Sequence, residues 1–348
     1  MTNQLNVGVV GLRMGQEHID GYLSHPKAHL QAICDLNPDV VNSVGDKYQV
    51  DARYTDYAEM FEQEDLDVVS IVTPNSFHKP MTEQALEGGM HVLCEKPVGL
   101  NCTEAIAMNR KAEAMGKRLM VNYSYRFKPS SVALKKQIEA GMLGEIQSSS
   151  CLWLRNKNGF SQITPWFSKK SMAGGGALID IGIHCLDKIL WLLDFPEPKS
   201  VLATTHDQLC KIVAANSGLV SDVEDTVEAL ITFTNNVSLT MHISWAANIP
   251  ESNLIEFKLF GSQAGMFEQN IAQGYTFAAK TFYERDGISY DLRLEDVDQS
   301  LVTSSMYHFI DAIVNEQPHM GNGTEAIKAM KLIDAIYQSA KTGNPVTF

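Results

Sequence analysis

Between residues 5 and 121, short apolar runs alternate with amphipathic segments of helical period, and no other feature limits the possible folds of the chain as strongly. Uninterrupted apolar runs are typical of strands that are buried on both faces, and the segments between them supply the covering helices. The pattern therefore predicts an α/β domain with a parallel sheet. The apolar runs lie at residues 5–10, 30–34, 68–72, 91–94 and 118–121, and the helical segments at 38–48, 57–63, 78–88 and 102–116.

Beyond residue 145 the hydrophobic period changes to two. Apolar side chains at every second position from Val237 to Trp245 alternate with polar ones, which predicts half-buried antiparallel sheet. Further strands are expected at residues 146–154, 199–205, 225–233 and 253–260, and strong helices at 177–193 and 324–342.

These two patterns predict an α/β domain over residues 1–126 and an α+β domain with a mainly antiparallel sheet over residues 127–348. Two domains suit a chain of 348 residues, because a single hydrophobic core stops growing at roughly 250–300 residues. The boundary is placed where residues 127–129 open a new helix, and the terminal helix is a candidate to pack back on the first domain.

Charge and cysteine usage exclude several classes of protein. The chain has 41 acidic and 28 basic residues, a net charge of −13, which argues against nucleic acid or an anionic membrane as a partner because both need a basic patch. The six cysteines form no C-x-x-C pair, and most lie in apolar runs, as buried thiols do in a reducing compartment. Without a signal-peptide pattern or a long apolar stretch, a cytoplasmic protein is expected.

The first apolar run ends in a glycine turn of the kind that binds dinucleotides. In Gly11-Leu12-Arg13-Met14-Gly15, residues without Cβ permit a tight turn and a close approach to a pyrophosphate, which the next helix N-terminus faces. The match is imperfect, because Arg13 occupies the place of the second glycine and Gly15 comes one residue early. Arg13 either reaches the pyrophosphate or points to solvent, and a structural turn without a ligand is the alternative.

An acidic residue at the end of the second apolar run supports the dinucleotide interpretation. Asp35 comes 24 residues after Gly11, where an acidic side chain accepts hydrogen bonds from the ribose hydroxyls of NAD and repels the 2′-phosphate of NADP. The following Leu36-Asn37-Pro38 supplies no arginine for that phosphate. NAD is therefore favoured over NADP. In the alternative interpretation, Asp35 only starts the turn before Pro38.

Polar residues also follow the apolar run at residues 68–72. Thr73, Pro74 and Asn75 lie at the expected carboxyl edge of the sheet, where ligands collect. Together with His78 they are assigned to the cofactor site, with Asn75 and His78 near the nicotinamide half. A plain strand-to-helix turn, with Asn75 or its neighbour as the N-cap, explains the same residues equally well.

Glu95-Lys96-Pro97 directly follows the next apolar run, again at the carboxyl edge. A lysine there can hydrogen-bond a substrate hydroxyl and favour its alkoxide form. Glu95 either orients the lysine or binds ribose, and the proline fixes the local chain direction. A lone lysine after a strand is more often a solvated charge, and only its position among the other motifs favours a functional role.

Three consecutive glycines, residues 174–176, precede a predicted helix that carries Asp180 and His184. The glycines permit a close backbone approach or unusual φ values. Asp180 and His184 share one helix face, which Lys188 continues one turn later. A neutral imidazole can accept the proton that a carbinol releases on oxidation, and a carboxylate can hold the substrate. The alternative is an ordinary Asp–His pair; a metal site is not expected, because no third ligand has a recognisable spacing.

Three further side chains are candidates for substrate contact. Tyr123 and Arg126 follow the last apolar run of the first domain, although packing at the domain boundary explains them equally well. Exposed aromatic side chains stack on sugar rings, whereas core packing is the commoner fate of tryptophan. Among the tryptophans of the second domain, Trp166 is favoured because it precedes the glycine run.

Taken together, these segments resemble the glucose-fructose oxidoreductase / inositol dehydrogenase / rhizopine catabolism (Gfo/Idh/MocA) oxidoreductase family. Their order and spacing match over most of the chain, and the most specific parts are Glu95-Lys96-Pro97 and the helix of Asp180 and His184. Over residues 195–320 only the sheet pattern fits. The chain departs from the family in Arg13 and the shortened glycine turn, which affects the phosphate contacts more than cofactor use.

The resemblance implies a Rossmann domain followed by a domain with a large open antiparallel sheet, which often mediates oligomers in relatives. A homodimer or homotetramer through that sheet is therefore expected. The resemblance also implies that Lys96, Asp180 and His184 form the catalytic set. NAD is then the cofactor, and a sugar or inositol-like polyol is the substrate.

Three functions stay open at this point. The first is reversible oxidation of a carbinol, with His184 as the base and Asp180 positioning the substrate and the imidazole; Lys96 as the base is a variant of it. The second is an NAD-dependent glycosidase, which oxidises its sugar transiently and releases no NADH. The third is a non-catalytic NAD-binding regulator, against which the retention of all three catalytic residues speaks.

Overall fold

The computed structural model describes residues 4–157, 165–217, 220–294 and 302–348. The chain forms two compact units, of which the first comprises Met1–Tyr123 with Thr303–Ile327 and the second comprises Ser124–Val302 with Lys328–Phe348. The sequence places the division at residues 126 and 127 and assigns residues 303–327 to the second domain. The structure groups that segment with the first unit, where Met306 packs on Gly21.

Among the described residues of the first unit, six strands form a parallel sheet in the order β3-β2-β1-β4-β5-β6. Val7, Val9 and Val69 are fully buried in its centre, as expected for a sheet covered on both faces. The strand order reverses between β1 and β4, and ligands of such sheets bind beyond the carboxyl ends at this point. The strands are β1 Leu5–Val10, β2 Ala28–Cys34, β3 Ala52–Tyr54, β4 Val68–Ile71, β5 His91–Cys94 and β6 Leu119–Val121.

Four of the six described α-helices of the first unit begin at a side chain that accepts a hydrogen bond from the first turn. The Asn101 side chain accepts from the Glu104 N–H at 3.0 Å, and the Glu104 carboxylate accepts from the N–H of Leu100 at 2.8 Å. Such caps satisfy amides that have no partner within the helix. The helices are Gly15–Leu23, Pro38–Tyr48, Tyr57–Gln63, His78–Glu87, Cys102–Ala114 and Ser305–Val314.

The second unit contains a mixed sheet of nine described strands in the order β14-β13-β12-β11-β7-β10-β9-β8-β15. Its neighbours are antiparallel except for β7 and β10, which run parallel. The predicted large, mainly antiparallel sheet is therefore confirmed. The strands are β7 Ile146–Asn156, β8 Pro198–His206, β9 Thr226–Phe233, β10 Ser238–Ala247, β11 Asn253–Gly261, β12 Ala264–Asn270, β13 Phe277–Arg285, β14 Ile288–Leu294 and β15 Val346–Thr347.

One face of this sheet is covered and the other is open. Cys151, Phe257 and Met241 point to the covered face and are buried. The predicted helix at residues 177–193 lies against β7 and β10 on this side, as a π-helical turn Leu178–Gly182 followed by the α-helix Ile183–Leu192. The remaining helices of the unit are Pro129–Glu139, Lys170–Ala173, Gln208–Ser217 and the end of Gly323–Thr342.

The structure also contains elements that the sequence pattern does not predict, namely β3, β12 to β15 and the helices Lys170–Ala173, Gln208–Ser217 and Ser305–Val314. β3 is only three residues long, and β14 is mostly exposed, so neither has a clear apolar period. No helix among the described residues could span a membrane.

Candidate active site

The glycine turn after β1 has the geometry that a dinucleotide turn needs. Gly11 has a φ of 88°, and a Cβ there would lie 2.1 Å from the main-chain oxygen of Val72, so only glycine fits. Gly15 opens the helix Gly15–Leu23 and is buried, while Arg13 and Met14 are exposed. The exposed Arg13 side chain is therefore accessible to a ligand at this turn.

Asp35 connects this turn to the end of β2. One carboxylate oxygen accepts the N–H of Leu12 at 2.8 Å, and the other accepts the N–H of Asn37 at 3.0 Å. A carboxylate can accept about four hydrogen bonds, so capacity remains for the two hydroxyls of a ribose. With the exposed Leu36 and Met14 beside it, this edge of the sheet fits the adenosine half of a dinucleotide.

The residues after β4 are less accessible than the sequence predicts. His78 is fully buried, and its ring nitrogens lie 2.7 Å from the main-chain oxygen of Pro97 and 2.8 Å from that of Thr73. Burial lowers the pKa of His78, against the effect of these two oxygens. The prediction that His78 contacts the cofactor is wrong, because both nitrogens connect two loops instead. Asn75 is also buried, within the short turn Asn75–Phe77 that follows Pro74.

Glu95 and Lys96 follow β5, as predicted. Glu95 Oε1 lies 3.0 Å from His18 Nε2 and accepts the Asn122 amide at 2.5 Å. Glu95 Oε2 accepts the N–H of Lys96 at 3.1 Å. Burial raises the pKa of the Glu95 carboxyl, but the hydrogen bonds from His18 and Asn122 and the charge of Lys96 act in the opposite direction, and this pKa lies below its ordinary value. Glu95 is therefore a fixed anion at the carboxyl edge.

The glycine run of the second unit serves close packing inside that unit. Gly174 has a φ of 87° and ends the short helix Lys170–Ala173. A Cβ on Gly175 would lie 1.9 Å from the Tyr337 hydroxyl, and one on Gly176 would lie 1.9 Å from the main-chain oxygen of Glu224. The Glu224 carboxylate accepts the N–H groups of residues 176 and 178 and the Tyr337 hydroxyl. The glycines thus fix the start of the segment that carries Asp180 and His184.

Asp180 and His184 lie on adjacent turns, and both are nearly buried, with exposed fractions of 8 % and 9 %. The indole N–H of Trp245 donates to Asp180 Oδ2 at 2.9 Å, and Arg155 Nη1 lies 3.7 Å from the same oxygen. The ring centroid of His184 is 4.8 Å from that of Tyr125 and 5.8 Å from that of Trp153. An oriented carboxylate and an imidazole in an aromatic surrounding therefore stand side by side.

Lys188, which the sequence places on the same helix face one turn later, is not accessible to a ligand. It is fully buried, forms an ion pair with Glu268 and lies 4.0 Å from the Phe257 ring centroid. Asp187 is buried as well, so the helix Ile183–Leu192 has no solvent-exposed polar face. Among the described residues, no group of three or more histidine, cysteine, aspartate and glutamate side chains is arranged to hold a metal ion.

Two of the predicted substrate contacts are wrong. The fully buried Arg126 donates through Nε and Nη2 to Asp187 at 2.8 and 2.5 Å, and its guanidinium lies over Phe195. Tyr123 is 1 % exposed. A buried guanidinium needs a paired carboxylate, and Asp187 supplies it for Arg126.

The tryptophans differ in exposure. Trp153 and Trp245 are buried, and the Trp153 indole donates to Asn253 at 2.7 Å. Trp166 is partly exposed, and one face stacks on Phe167 at 3.8 Å. The assignment of Trp166 to substrate binding stays a prediction.

Sequence reasoning missed three residues, namely Arg155 and Tyr275 near Asp180, and His18 beside Glu95. Arg155 lies near the end of β7, after the alternating Cys151 and Trp153, and its Nη2 donates to the hydroxyl of the exposed Tyr275 at 3.2 Å. His18 lies on the apolar face of its helix with Ile19 and Tyr22. In both cases the available signal was a polar residue at an otherwise apolar position.

Comparisons with known proteins agree with the architecture. Residues 5–123 match the model of an oxidoreductase family with an NAD-binding Rossmann fold, and residues 131–267 match the GFO/IDH/MocA C-terminal domain. A D-glucoside 3-dehydrogenase of Escherichia coli is 30% identical over 99% of this chain and 98% of its own length. A levoglucosan dehydrogenase of Pseudarthrobacter phenanthrenivorans is 28% identical over 75% of this chain and 73% of its own length.

A solved structure supports the same fold. The complex of a levoglucosan dehydrogenase with NADH and L-sorbose superposes with a TM-score of 0.87 over 99% of both chains, at 22% identity. The matched models, the full-length relative and the NAD-binding architecture together show that the chain belongs to the GFO/IDH/MocA family of oxidoreductases.

Proposed function

We propose that the protein is an NAD-dependent dehydrogenase that oxidises a secondary hydroxyl of a sugar or a related polyol. The observation that carries this proposal is the pairing of Asp180, held by Trp245 and Arg155, with His184 one turn later. Relatives named D-glucoside 3-dehydrogenase and levoglucosan dehydrogenase support the substrate class.

NAD, rather than NADP, is the proposed cofactor. Asp35 is held at the end of β2 by two main-chain N–H groups, so its charge cannot turn away from a 2′-phosphate. No arginine or lysine occurs among residues 36–38 to compensate. Repulsion of an added phosphate by a fixed carboxylate therefore favours NAD.

His184 is proposed as the base that takes the proton of the reacting hydroxyl. A neutral imidazole with a pKa near neutrality is suited to this transfer, and the Asp180 carboxylate stabilises the imidazolium that results. Lys96 is proposed to donate a hydrogen bond to the same hydroxyl oxygen, with Lys96 as the base in the alternative version. When bound, the nicotinamide ring supplies the hydride acceptor.

The sugar is proposed to contact Arg155 and Tyr275 in addition to Trp166. The Arg155 guanidinium lies between Asp180 and the Tyr275 hydroxyl, and it stacks on Trp153 at 5.1 Å from the ring centroid. A guanidinium of this kind presents several fixed N–H donors to hydroxyl oxygens. Specificity for a polyol is therefore assigned to this end of β7.

A homo-oligomer is proposed to form through the open face of the second sheet. The pairing register places Leu202, Leu230, Phe260 and Phe282 on this face, and all four side chains are exposed. Phe267 joins Phe260 and Phe282 at centroid distances of 5.5 and 5.2 Å. Exposed apolar patches of this kind mark association surfaces, and the partner proposed is a second copy of the chain.

A panel of sugars and polyols tests the activity, with NAD and NADP supplied in parallel and NADH absorbance as the readout. A dehydrogenase gives continuous NADH release with at least one carbinol substrate. Cleavage of a glycoside without net NADH formation would identify the glycosidase instead. NAD binding without any turnover across the panel would indicate a regulator and would overturn the proposal.

A further inference from the structure

A line of buried polar side chains runs behind Glu95 in the first unit, and neither the sequence motifs nor the proposed function gives it a role. Leaving a buried polar group without a partner is destabilising, so such a line persists only when its members satisfy one another. We call it the His18 network. Its members are Tyr22, Ser70, His18, Glu95, Asn122 and Ser305.

His18 is the centre of the network. Its Nδ1 lies 3.0 Å from Ser70 Oγ, and its Nε2 lies 3.0 Å from Glu95 Oε1. Ser70 Oγ is in turn 2.7 Å from the Tyr22 hydroxyl. His18, Ser70 and Tyr22 are each at most 2 % exposed, so water does not replace any of these contacts.

With a neutral imidazole, each hydrogen bond from Tyr22 through Ser70 and His18 donates in the direction of Glu95. A carboxylate only accepts, so His18 Nε2 carries a hydrogen and donates it to Glu95. His18 Nδ1 then accepts from the Ser70 hydroxyl, and Ser70 accepts from Tyr22. Burial raises the pKa of the Tyr22 phenol, so the first donor of the line keeps its proton.

A second branch reaches the same carboxylate oxygen. The Ser305 hydroxyl donates to the Asn122 amide oxygen at 2.6 Å, which fixes the orientation of that amide. The amide nitrogen of Asn122 therefore faces Glu95 Oε1 and donates to it at 2.5 Å. With two donors on Oε1, Glu95 keeps Oε2 for the main-chain N–H of Lys96.

We propose that His18 is a positioning residue for Lys96, a role that rests on the proposed function. Through Glu95 Oε1, His18 and Asn122 hold the carboxylate in one rotamer, and through Oε2 that carboxylate fixes the peptide from which the Lys96 side chain extends. Misplacing a group that contacts the reacting atoms by about 1 Å can cost on the order of 100-fold in rate.

The test replaces His18 by leucine, which fills a similar volume but cannot donate. In His18→Leu, kcat falls about 10–100-fold, while KM and the dissociation constant of NAD stay within about twofold. His18→Gln retains an N–H that can reach Oε1, and its kcat recovers to within about fivefold of the wild type. His25→Leu is the matched control, because His25 is a buried histidine of the same unit that stacks on Tyr307; its kcat is unchanged.

A second readout needs no substrate. A carboxylate that has lost a donor takes the nearest cation as its replacement, and the charge of Lys96 acts directly on Glu95. Acylation of the Lys96 amine by an amine-specific reagent, followed by peptide mass spectrometry at fixed pH, is therefore slower by about threefold or more in His18→Leu. His18→Gln and His25→Leu are labelled at the wild-type rate.

The outcomes separate the two proposals. If folded His18→Leu keeps both kcat and the Lys96 labelling rate within about twofold of the wild type, His18 only packs and the inference fails. If His18→Leu does not fold, Asn122→Ser removes the other donor to Oε1 and carries the same two expectations. If the wild type turns over no sugar or polyol, the proposed function fails, while the labelling rates still decide whether His18 acts on Lys96.

Discussion

The Asp35 carboxylate has two roles, because it accepts hydrogen bonds from the main chain and also carries a negative charge. The N–H groups of Leu12 and Asn37 hold its oxygens at the carboxyl edge of the first sheet. Removing the whole side chain would therefore disturb the glycine turn as well as the selection of a cofactor. Only a substitution that keeps the oxygen acceptor and removes the charge separates these effects.

Asp35→Asn makes this separation, and we expect it to reduce cofactor discrimination. Two unit charges about 4 Å apart at a protein surface interact with up to about 4 kcal/mol, and screening by water and salt reduces this, so the kcat/KM ratio of NAD over NADP falls by about tenfold. Steady-state kinetics with both cofactors provides the measurement. An unchanged ratio would show that Asp35 is only a structural residue of the turn.

His184→Ala is expected to lower kcat by about 10²–10⁴-fold, because general base catalysis contributes that much. The dissociation constant of NAD, measured by fluorescence titration, stays nearly constant. His242→Ala is the matched control, since His242 lies on β10 with a side chain that is 45% exposed, and its kcat is retained. Normal turnover of His184→Ala would remove His184 from the mechanism.

At the residue scale, the local sequence does not show which charged side chains find a buried partner. Arg126 and Lys188 have the residue type that a sugar or cofactor site uses, yet each is paired with a carboxylate, Asp187 or Glu268, from elsewhere in the chain. Nothing in the local sequence marks such a partner, because the paired residues are 61 and 80 positions apart.

At the scale of elements, the glycine run and the Glu224 carboxylate together fix the start of the π-helical turn. Gly175 and Gly176 leave room for Tyr337 and for the main chain of Glu224, and the Glu224 carboxylate then satisfies the first N–H groups of the π-helical turn. The sequence predicts a close backbone approach here. The structure identifies the approaching groups as protein atoms of the same unit.

Gly176→Ala therefore destabilises the second unit, because its Cβ would lie 1.9 Å from a main-chain oxygen that cannot move alone. Overpacking of this kind costs about 1–3 kcal/mol, which urea unfolding can measure. Gly274→Ala is the control, since the nearest atom to its Cβ would be 3.4 Å away. Equal stabilities of the two variants would contradict the packing role of the glycine run.

The junction of β5 and β6 is expected to make stability depend on pH. His91 Nδ1 accepts the N–H of Arg118 at 3.0 Å, and burial, with the charges of Lys117 and Arg118, lowers the pKa of His91 to about 4. The unfolded chain, with a histidine pKa near 6.5, binds a proton more readily than the folded one. The free energy of unfolding therefore decreases as the pH falls from about 6.5 to about 4.

Urea unfolding across this pH range measures the slope. His91→Gln keeps an acceptor for Arg118 and removes the titrating ring, so its slope is shallower than that of the wild type. Part of the slope persists, because burial also lowers the pKa of His308 and His319. A wild-type stability that rises on acidification would contradict the assignment of a neutral His91.

At the scale of the whole molecule, the open sheet face is the surface that the fold leaves uncovered. The covered face of the same sheet buries Trp153, Phe257 and Ile243, whereas the open face presents Leu230, Phe260 and Phe282 to solvent. Single exposed apolar residues are common in proteins, whereas adjacent rings such as those of Phe260, Phe267 and Phe282 form a patch. The proposed association of identical chains through this face would remove it from water.

Phe282→Asp is expected to dissociate the proposed homo-oligomer. In a self-complementary interface, every subunit would bring one aspartate carboxylate into the apolar contact. Light scattering after size exclusion measures the molar mass, which falls from that of a dimer or tetramer towards 38.5 kDa. Ile288→Asp is the control, because Ile288 is exposed on the neighbouring strand outside the open sheet face. A monomeric wild type would contradict the proposed interface.

The sequence by itself determined the local part of this protein. Strands such as β1 and β5, the cap at Asn101, the glycine requirement at residue 11 and the position of Lys96 after a strand follow from period and composition within a few residues. Tertiary structure alone decided which polar side chains meet. Arg126 met Asp187 and His18 met Glu95 because burial obliges each polar group to find a partner wherever the fold supplies one, often far along the chain.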